Sequence, residues 1–380
     1  MRIICAPDSF KGSMTATTAA EAMAAGIRKT VPDVIVDCCP IADGGEGTLA
    51  ALTMAIPGDL RRVIVSGPLG DPVEAAFATF AEGWFAVVES AAAAGLQLIP
   101  EQNRDPEKTS SRGVGELIAA ACAAAPRKII VGVGGSATND GGCGMAQALG
   151  VCFFDRNGDE IRTPICGGML SNISRIDMTS RLPALSNIEM IVACDVRNPL
   201  TGPDGAANVY APQKGATADQ VARLDAGLAH LARLVRRDLD MDIEERPGSG
   251  AAGGLGGGLA AFAGASIASG INTVLEAVDF DLRVRSCDLC LTGEGQIDAQ
   301  SASGKACMGV AQAAGKHGVP TIALVGAVGS GAEQCLAAGL HEYVVIGEGL
   351  PAELSMRQAS VLIADAAGQV AKDFLRPNPG

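Results

Sequence analysis

Five short stretches combine glycine with groups that can move a proton, bind a metal ion or hold an anion. They are "APDSFKGS" (Ala6 to Ser13), "ADGGEGT" (Ala42 to Thr48), "GVGGSATNDGG" (Gly132 to Gly142), "ACDVRNPL" (Ala193 to Leu200) and "TGEGQIDAQSASGK" (Thr292 to Lys305). Glycine lets a backbone approach a ligand with its N–H groups exposed, and phosphate is the usual guest. The third stretch carries five glycines among eleven residues, more than a turn needs. Its N–H groups, Ser136 and Thr138 could hold a phosphate, and Asp140 could hold Mg²⁺, an oxygen-loving ion. In the first stretch, Asp8 and Ser9 either touch a small ligand while Lys11 neutralises an anion, or Asp8 and Lys11 form a solvated pair. Asp43 and Glu46 either bind ligand or cap the helix that follows them. Asp195 comes straight after an apolar run and is either a turn cap or a catalytic base. Histidine is the other common base, but there are only three, and His230, His317 and His341 all lie outside these stretches. A carboxylate base is favoured.

Each stretch stands at the end of a predicted strand, where open α/β sheets bind their ligands. "RIICAP" and "DVIVDCCPI" read as buried strands flanking a helix, with Thr18 and Glu21 as its capping box. Such a βαβ unit makes the two strands parallel. From Arg61 to Ser90, short strands broken by turn signals suit a hairpin-rich, mixed sheet. "RKIIVGVGG" and "IEMIVACDV" are further strands. Thr217 and Gln220 cap a helix whose Val221, Leu224, Leu228, Leu231 and Val235 keep helical spacing. Strand–helix alternation returns after "DLCLTGEG". The expected fold is therefore α/β. Residues 1–70 and 285–380 form one doubly wound parallel domain, and residues 71–284 form an inserted domain with a mixed sheet. "GSGAAGGLGGGLAAF" (Gly248 to Phe262) is either a flexible connection or a glycine loop opening a helix, which is an anion site.

The chain has 380 residues, 48% apolar and 3% aromatic, with 49 glycines. That supports a large core of small aliphatic side chains, as helices on parallel sheets require. A net charge of −13, with no basic run beyond "RLVRR" (Arg233 to Arg237), argues against nucleic-acid binding. No apolar run reaches the ~20 residues that span a membrane. The 12 cysteines follow no secretory signal and read as reduced, structural thiols of a cytoplasmic protein. "CDLC" (Cys287 to Cys290) is too weak a pattern for a metal site. "SASGKA" lacks the first glycine and the final hydroxyl of a P-loop. Gly132-x-Gly134 is followed by Ala137, and no strand-end acid stands about 20 residues on as a ribose partner, so a dinucleotide fold is disfavoured.

Nine blocks now identify a resemblance. "APDSFKGS", "PIADGGEGT", "TSSRGVGELI", "GVGGSATNDGG", "ALG", "ACDVRNPL", "APQKGA", "GSGAAGGLGGGL" and "LTGEGQIDAQSASGK" occur in that order over essentially the whole chain. The sequence resembles the bacterial glycerate kinases of the glycerate 2-kinase (type I) family. It departs locally at Cys307-Met308, where members often carry proline. The resemblance implies two α/β domains, one Rossmann-like, with the active site in a cleft between them. It implies ATP, Mg²⁺ and D-glycerate as ligands and phosphorylation of the 2-hydroxyl. On this reading Asp195 and Lys11 are catalytic. Asp8, Ser9, Asp43, Asn198 and Lys305 bind glycerate. Gly134, Gly135, Ser136, Thr138 and Asn139, with Gly293, Glu294 and Gly295, bind the nucleotide, and Asp140 and Asp298 bind metal. The protein is expected as a monomer or homodimer. A glycerate 3-kinase, an NAD-dependent hydroxy-acid dehydrogenase and a non-catalytic glycerate sensor are the alternatives.

Overall fold

The structure, a computed structural model, describes residues 1–302 and 305–376; Ser303 and Gly304 of "SASGK" lie outside the described residues. The chain divides into two compact units. The first comprises Met1–Asp43, Ala50–Pro57 and Ile271–Gly380; the second comprises Gly44–Leu49 and Gly58–Gly270. In chain order the strands are β1 (Arg2–Cys5), β2 (Ile35–Cys38), β3 (Gly58–Ser66), β4 (Pro72–Phe80), β5 (Phe85–Glu89), β6 (Lys128–Gly132), β7 (Cys152–Phe154), β8 (Arg175–Asp177), β9 (Glu189–Ala193), β10 (Ser266–Ala268), β11 (Leu289–Ile297), β12 (Thr321–Val328) and β13 (Glu342–Val345).

The first unit is a five-stranded sheet in the order β13-β12-β11-β1-β2, with every neighbour parallel. Its inner strands β1 and β12, and the first half of β11, carry apolar runs because both faces are covered. In β12, Ile322 and Leu324 pack on one side with Met23 and Ile27 of the first helix, Ala16–Thr30, and with Ile363 of the last, Ala352–Phe374. Ala323 and Val325 pack on the other side with Met308 of the Ala306–Gly315 helix. The chain moves outward from β1 to β2 in one direction and from β11 to β13 in the other. The order thus reverses between β1 and β11, and a doubly wound sheet opens a crevice at such a point.

The second unit carries a mixed six-stranded sheet, β10-β9-β6-β5-β4-β3, and a small β7-β8 pair. β3, β4 and β5 are antiparallel; β5, β6, β9 and β10 run parallel. The sequence placed the joins after residues 70 and 284, whereas the units change after Asp43, Leu49, Pro57 and Gly270. β3 pairs with β4 along its whole length, from Gly58↔Phe80 to Ser66↔Pro72, and so belongs with the mixed sheet.

Three local expectations change. The first helix is capped by Thr15, whose Oγ1 accepts from the Thr18 N–H at 3.2 Å, so Thr18 is already inside it. β11 runs on through Gly293, Glu294 and Gly295 to Ile297, which makes strand of residues read as loop. Gly248 to Phe262 is buried and mostly helical, with Ala252, Gly253 and Gly254 in left-handed backbone. Gly253 has no alternative there: a Cβ would lie 1.9 Å from the Thr138 carbonyl oxygen. The Ala218–Leu239 helix has the capping box read from Thr217 and Gln220.

Candidate active site

A cavity of about 450 Å³ opens in the first unit at the carboxyl edge of the parallel sheet. It sits where the strand order reverses, and its size falls in the range of small-ligand sites. Its charged lining is Asp8, Lys11, Asp43, Glu294, Asp298 and Lys305; its apolar wall is Ile346, Ala352, Met356 and Ala359.

Each charged group is set by the fold beneath it. The loop after β1 extends the ladder: the Ala6 N–H donates to Leu291 O at 2.7 Å and the Asp8 N–H to Gly293 O at 2.8 Å. Phe10 is buried under that loop, and Ser13 Oγ donates to Met356 O at 2.8 Å, tying it to the last helix. Asp43 follows β2, where the Ile41 N–H donates to Pro7 O at 2.9 Å. Glu294 projects from β11 between two glycines. Gly293 is required because a Cβ would meet Leu324 O at 2.5 Å; a Cβ on Gly326 would meet Gly295 O at 2.6 Å. These glycines serve strand packing.

Burial, then the neighbouring Asp43, pushes the Asp8 carboxyl up to about 7, with Glu294 adding to the rise; the Ser9 N–H, 2.6 Å from Oδ1, and Lys11 oppose it. Glu294 is 8% exposed, its carboxyl is raised mainly by burial, and its Oε1 has no hydrogen-bond partner among the described residues. A buried carboxyl with an unsatisfied oxygen, on a residue that lines a cavity beside a second perturbed carboxyl, is a recurrent mark of a functional site. Lys305 Nζ donates to Gln300 Oε1 at 3.3 Å, and Lys11 is exposed.

Asp298 also lines the cavity, but its oxygens accept from the Gln300 N–H (2.8 Å), the Ser301 N–H (3.2 Å) and Gln296 Nε2 (3.3 Å). It caps the short Ala299–Ala302 helix. Asp140 has no surface at all and accepts four hydrogen bonds, from Ser111 N–H and Oγ, Gly142 N–H and Gly144 N–H. Both acids read as metal ligands are thus held by internal donors. Among the described residues no three His, Cys, Asp or Glu side chains are grouped to hold a metal.

Asp195 stands exposed after β9, as its sequence position implied, and Oδ1 accepts from Ser269 Oγ and the Gly270 N–H, both at 2.9 Å. Of its two readings the geometry supplies the cap, at the start of the Gly270–Ala277 helix. Asn198 ties its own loop: Nδ2 donates to Asp204 O and Oδ1 accepts from Tyr210 Oη. At the start of the Thr48–Ala55 helix that follows Asp43 and Glu46, Glu89 Oε1 accepts the Leu49 N–H at 2.6 Å.

The Gly132 to Gly142 loop lies in the second unit, and much of its glycine serves backbone-to-backbone approach. A Cβ on Gly132 would meet Gly44 O at 2.6 Å, and one on Gly134 would meet Gly45 Cα at 2.7 Å. The Ala137 and Gly141 N–H groups donate to Ala94 O and Gly253 O, and Ser136 Oγ pairs with Thr138 Oγ1 at 2.9 Å. Asn139 is fully buried with neither amide atom partnered among the described residues. Gly135 has φ +70°. Valine there should cost about 1–3 kcal/mol in strain, lowering the thermal midpoint. If the loop also serves the nucleotide, the KM for ATP rises in the folded fraction; an unchanged KM removes it from that site.

Sequence reading passed over Lys214, 3% exposed, whose Nζ donates to Thr138 O at 2.6 Å and is pushed down to about 7 by burial, with Asp140 opposing. Its flanks in "APQKGA" gave the only hint. The apolar wall was also missed, since Ile346 and Met356 look like ordinary core residues.

The sequence matches the model of the glycerate kinase family over residues 3–375. It is 44% identical to a glycerate kinase of Bacillus subtilis (strain 168) over 372 residues, 98% of this chain and 97% of that protein. It is 45% identical to the glycerate 2-kinase of Escherichia coli (strain K12) over 328 residues, 86% of each. The crystal structure of a putative glycerate kinase 2 from Salmonella typhimurium LT2 superposes with a TM-score of 0.87 at 41% identity, covering 98% of each chain.

Proposed function

The chain belongs to the glycerate kinase family, and from that premise we propose that it moves the γ-phosphoryl group of ATP onto the 2-hydroxyl of D-glycerate, giving 2-phosphoglycerate and ADP. The observation that carries this reading is the cavity at the strand-order reversal, where carboxylates stand beside Lys11 and Lys305. Phosphoryl transfer asks a protein mainly to position the reactants and neutralise charge. The two lysines supply positive charge for the glycerate carboxylate or the transferring phosphoryl group. The cavity acids accept hydrogen bonds from the glycerate hydroxyls. The apolar wall excludes water, which strengthens each of these contacts. The similarity to a protein named glycerate 2-kinase favours the 2-position.

Magnesium accompanies the nucleotide in this reading. Mg²⁺ is commonly held by one or two carboxylates plus substrate phosphates. The committed oxygens of Asp140 and Asp298 do not fit a site built by the protein alone, and no step is assigned to a protein-bound metal. We place the enzyme in the cytoplasm as a monomer or homodimer. Its ligands are small molecules, and among the described residues no helix is long and apolar enough to cross a membrane.

Purified protein should release ADP only when D-glycerate, ATP and Mg²⁺ are all present, and ³¹P NMR should find phosphorus on the 2-oxygen. A 3-phosphorylated product would reverse the regiochemistry. Glycerate binding without turnover would leave a sensor.

A further inference from the structure

We propose that Asp8 is the group that takes the proton of the acceptor hydroxyl, and that Glu294 is a positioning residue acting through it. This rests on the kinase reading above. Geometry narrows the choice to the acids of the cavity, Asp8, Asp43 and Glu294, and of these Asp8 sits on the loop that extends the ladder onto Gly293 O. Asp140 is sealed inside the second unit under four donors, Asp298 caps a helix turn with three, and Asp195 Oδ1 holds the Ser269 hydroxyl and the Gly270 N–H. Asp8 lines the cavity on the rigid edge of the sheet, locked by its N–H on Gly293 O. It stands on the β1 side of the strand-order reversal and Glu294 on the β11 side. Glu294 is part of the same lining, and its Oε1 is buried with no hydrogen-bond partner among the described residues.

The step balances without a further reactant. The hydroxyl proton passes to an Asp8 carboxylate oxygen. The electron pair left on the hydroxyl oxygen forms the new bond to the γ-phosphorus. The bond from that phosphorus to the β–γ bridging oxygen breaks, and its pair leaves on ADP. Protonated Asp8 then returns the proton to water.

Among the described residues, six charged or titratable groups share the cavity with Asp8 or act on it. Lys11 is on its own loop, Asp43 follows β2, Glu294 is in β11, Asp298 follows β11, Lys305 begins the Ala306–Gly315 helix, and Cys307 lies within that helix. Burial and the carboxylates outweigh the Ser9 N–H and Lys11, and push the carboxyl up to about 7. A base must be near the operating pH to be both unprotonated and able to accept a proton. Below that pH it is increasingly protonated, and kcat should fall about tenfold per pH unit. Glu294→Gln removes a like charge at constant shape, so the acid limb should move to lower pH.

The stability sign separates this role from a structural one. A carboxyl whose folded value lies above its unfolded value near ~4 binds its proton more tightly in the folded state. Stability is then lost as pH rises from about 4 through about 7. Asp8→Asn abolishes that loss and should unfold at pH 8 no lower than the unsubstituted protein.

The test measures kcat, both KM values and the thermal midpoint for the unsubstituted protein, Asp8→Asn and Glu294→Gln between pH 5 and 9. Expected are a kcat fall of roughly 10²–10⁴-fold in Asp8→Asn, KM values within a few-fold, an undiminished midpoint at pH 8, and an acid-shifted limb in Glu294→Gln. An Asp8→Asn kcat within threefold of normal, or a flat profile between pH 5 and 8 in the unsubstituted enzyme, overturns the proposal while leaving the kinase reading intact. Should Asp8→Asn not fold, the unsubstituted and Glu294→Gln profiles decide alone. Absence of turnover in the unsubstituted protein would instead defeat the kinase reading itself.

Discussion

Asp140→Asn should yield a protein that unfolds well below the normal temperature and that no concentration of Mg²⁺ restores. The carboxylate is fully buried, and its two oxygens accept from Ser111 N–H (2.8 Å), Ser111 Oγ (2.7 Å), Gly142 N–H (3.1 Å) and Gly144 N–H (3.2 Å). An amide presents an NH₂ to at least one set of these donors, leaving donor facing donor in a dry site. The negative charge matters as well: burial pushes Lys214 down to about 7, and Asp140 is what opposes that push. Removing one member of a buried charged network costs about 3–5 kcal/mol. At ~2–4 °C per kcal/mol for a unit of this size, the thermal midpoint should fall by about 6–20 °C. Calorimetry with and without Mg²⁺ checks it. A normal midpoint with turnover rescued by raised metal would make Asp140 a metal ligand after all.

Gly26→Ala should destabilise the first unit even though alanine is the better helix former. On propensity alone the exchange favours the helix by about 1 kcal/mol. Here the new Cβ would lie 1.8 Å from Ala364 O and 2.8 Å from Ala364 Cα, which are backbone atoms of the last helix and cannot swing aside. Gly368 mirrors the contact, since its Cβ would meet Gly26 O at 2.7 Å. The two helices therefore touch backbone to backbone, and one methyl must wedge them apart. Overpacking costs about 1–3 kcal/mol where side chains can move, and occasionally more; with backbone on both sides the upper end should win over propensity. The last helix carries Met356 and Ala359 of the cavity wall and accepts the Ser13 hydroxyl, so both KM values should rise with the loss of stability. A midpoint equal to or above normal would show that the helix pair yields to the methyl group without loss.

The sequence made the layers legible because their signals are local. The apolar runs of β1, β11 and β12, the turn-punctuated β3 to β5, and the Thr217–Gln220 cap all depend on residues close in the chain. What it hid was tertiary. Gly293 and Gly295 looked like loop residues, yet they continue a strand whose neighbour comes too close for a side chain at Gly293 and Gly326. An acid after a strand reads alike whether it caps a turn, as Asp195, Asp298 and Asp140 do, or faces a cavity, as Asp8 does. Burial, with Asp43 and Glu294 brought in from β2 and β11, sets Asp8 apart. Lys214 was invisible for the same reason: the carbonyl it serves, that of Thr138, belongs to a distant loop.

The interleaving of the two units fixes the order in which the chain can fold as it is made. β1 finds β2 after some thirty residues, but its other neighbour, β11, begins only at Leu289. At ~5–20 residues per second, the half-built parallel sheet waits roughly 12–50 s for that strand. Over the same interval the entire Gly58–Gly270 stretch of the second unit leaves the ribosome in one piece. The second unit can thus close first, while one edge of β1 and its buried Ile3, Ile4 and Cys5 remain uncovered. Asp8 and Glu294 meet only once β11 has been made, so a chain truncated before Leu289 would possess a complete second unit and no cavity.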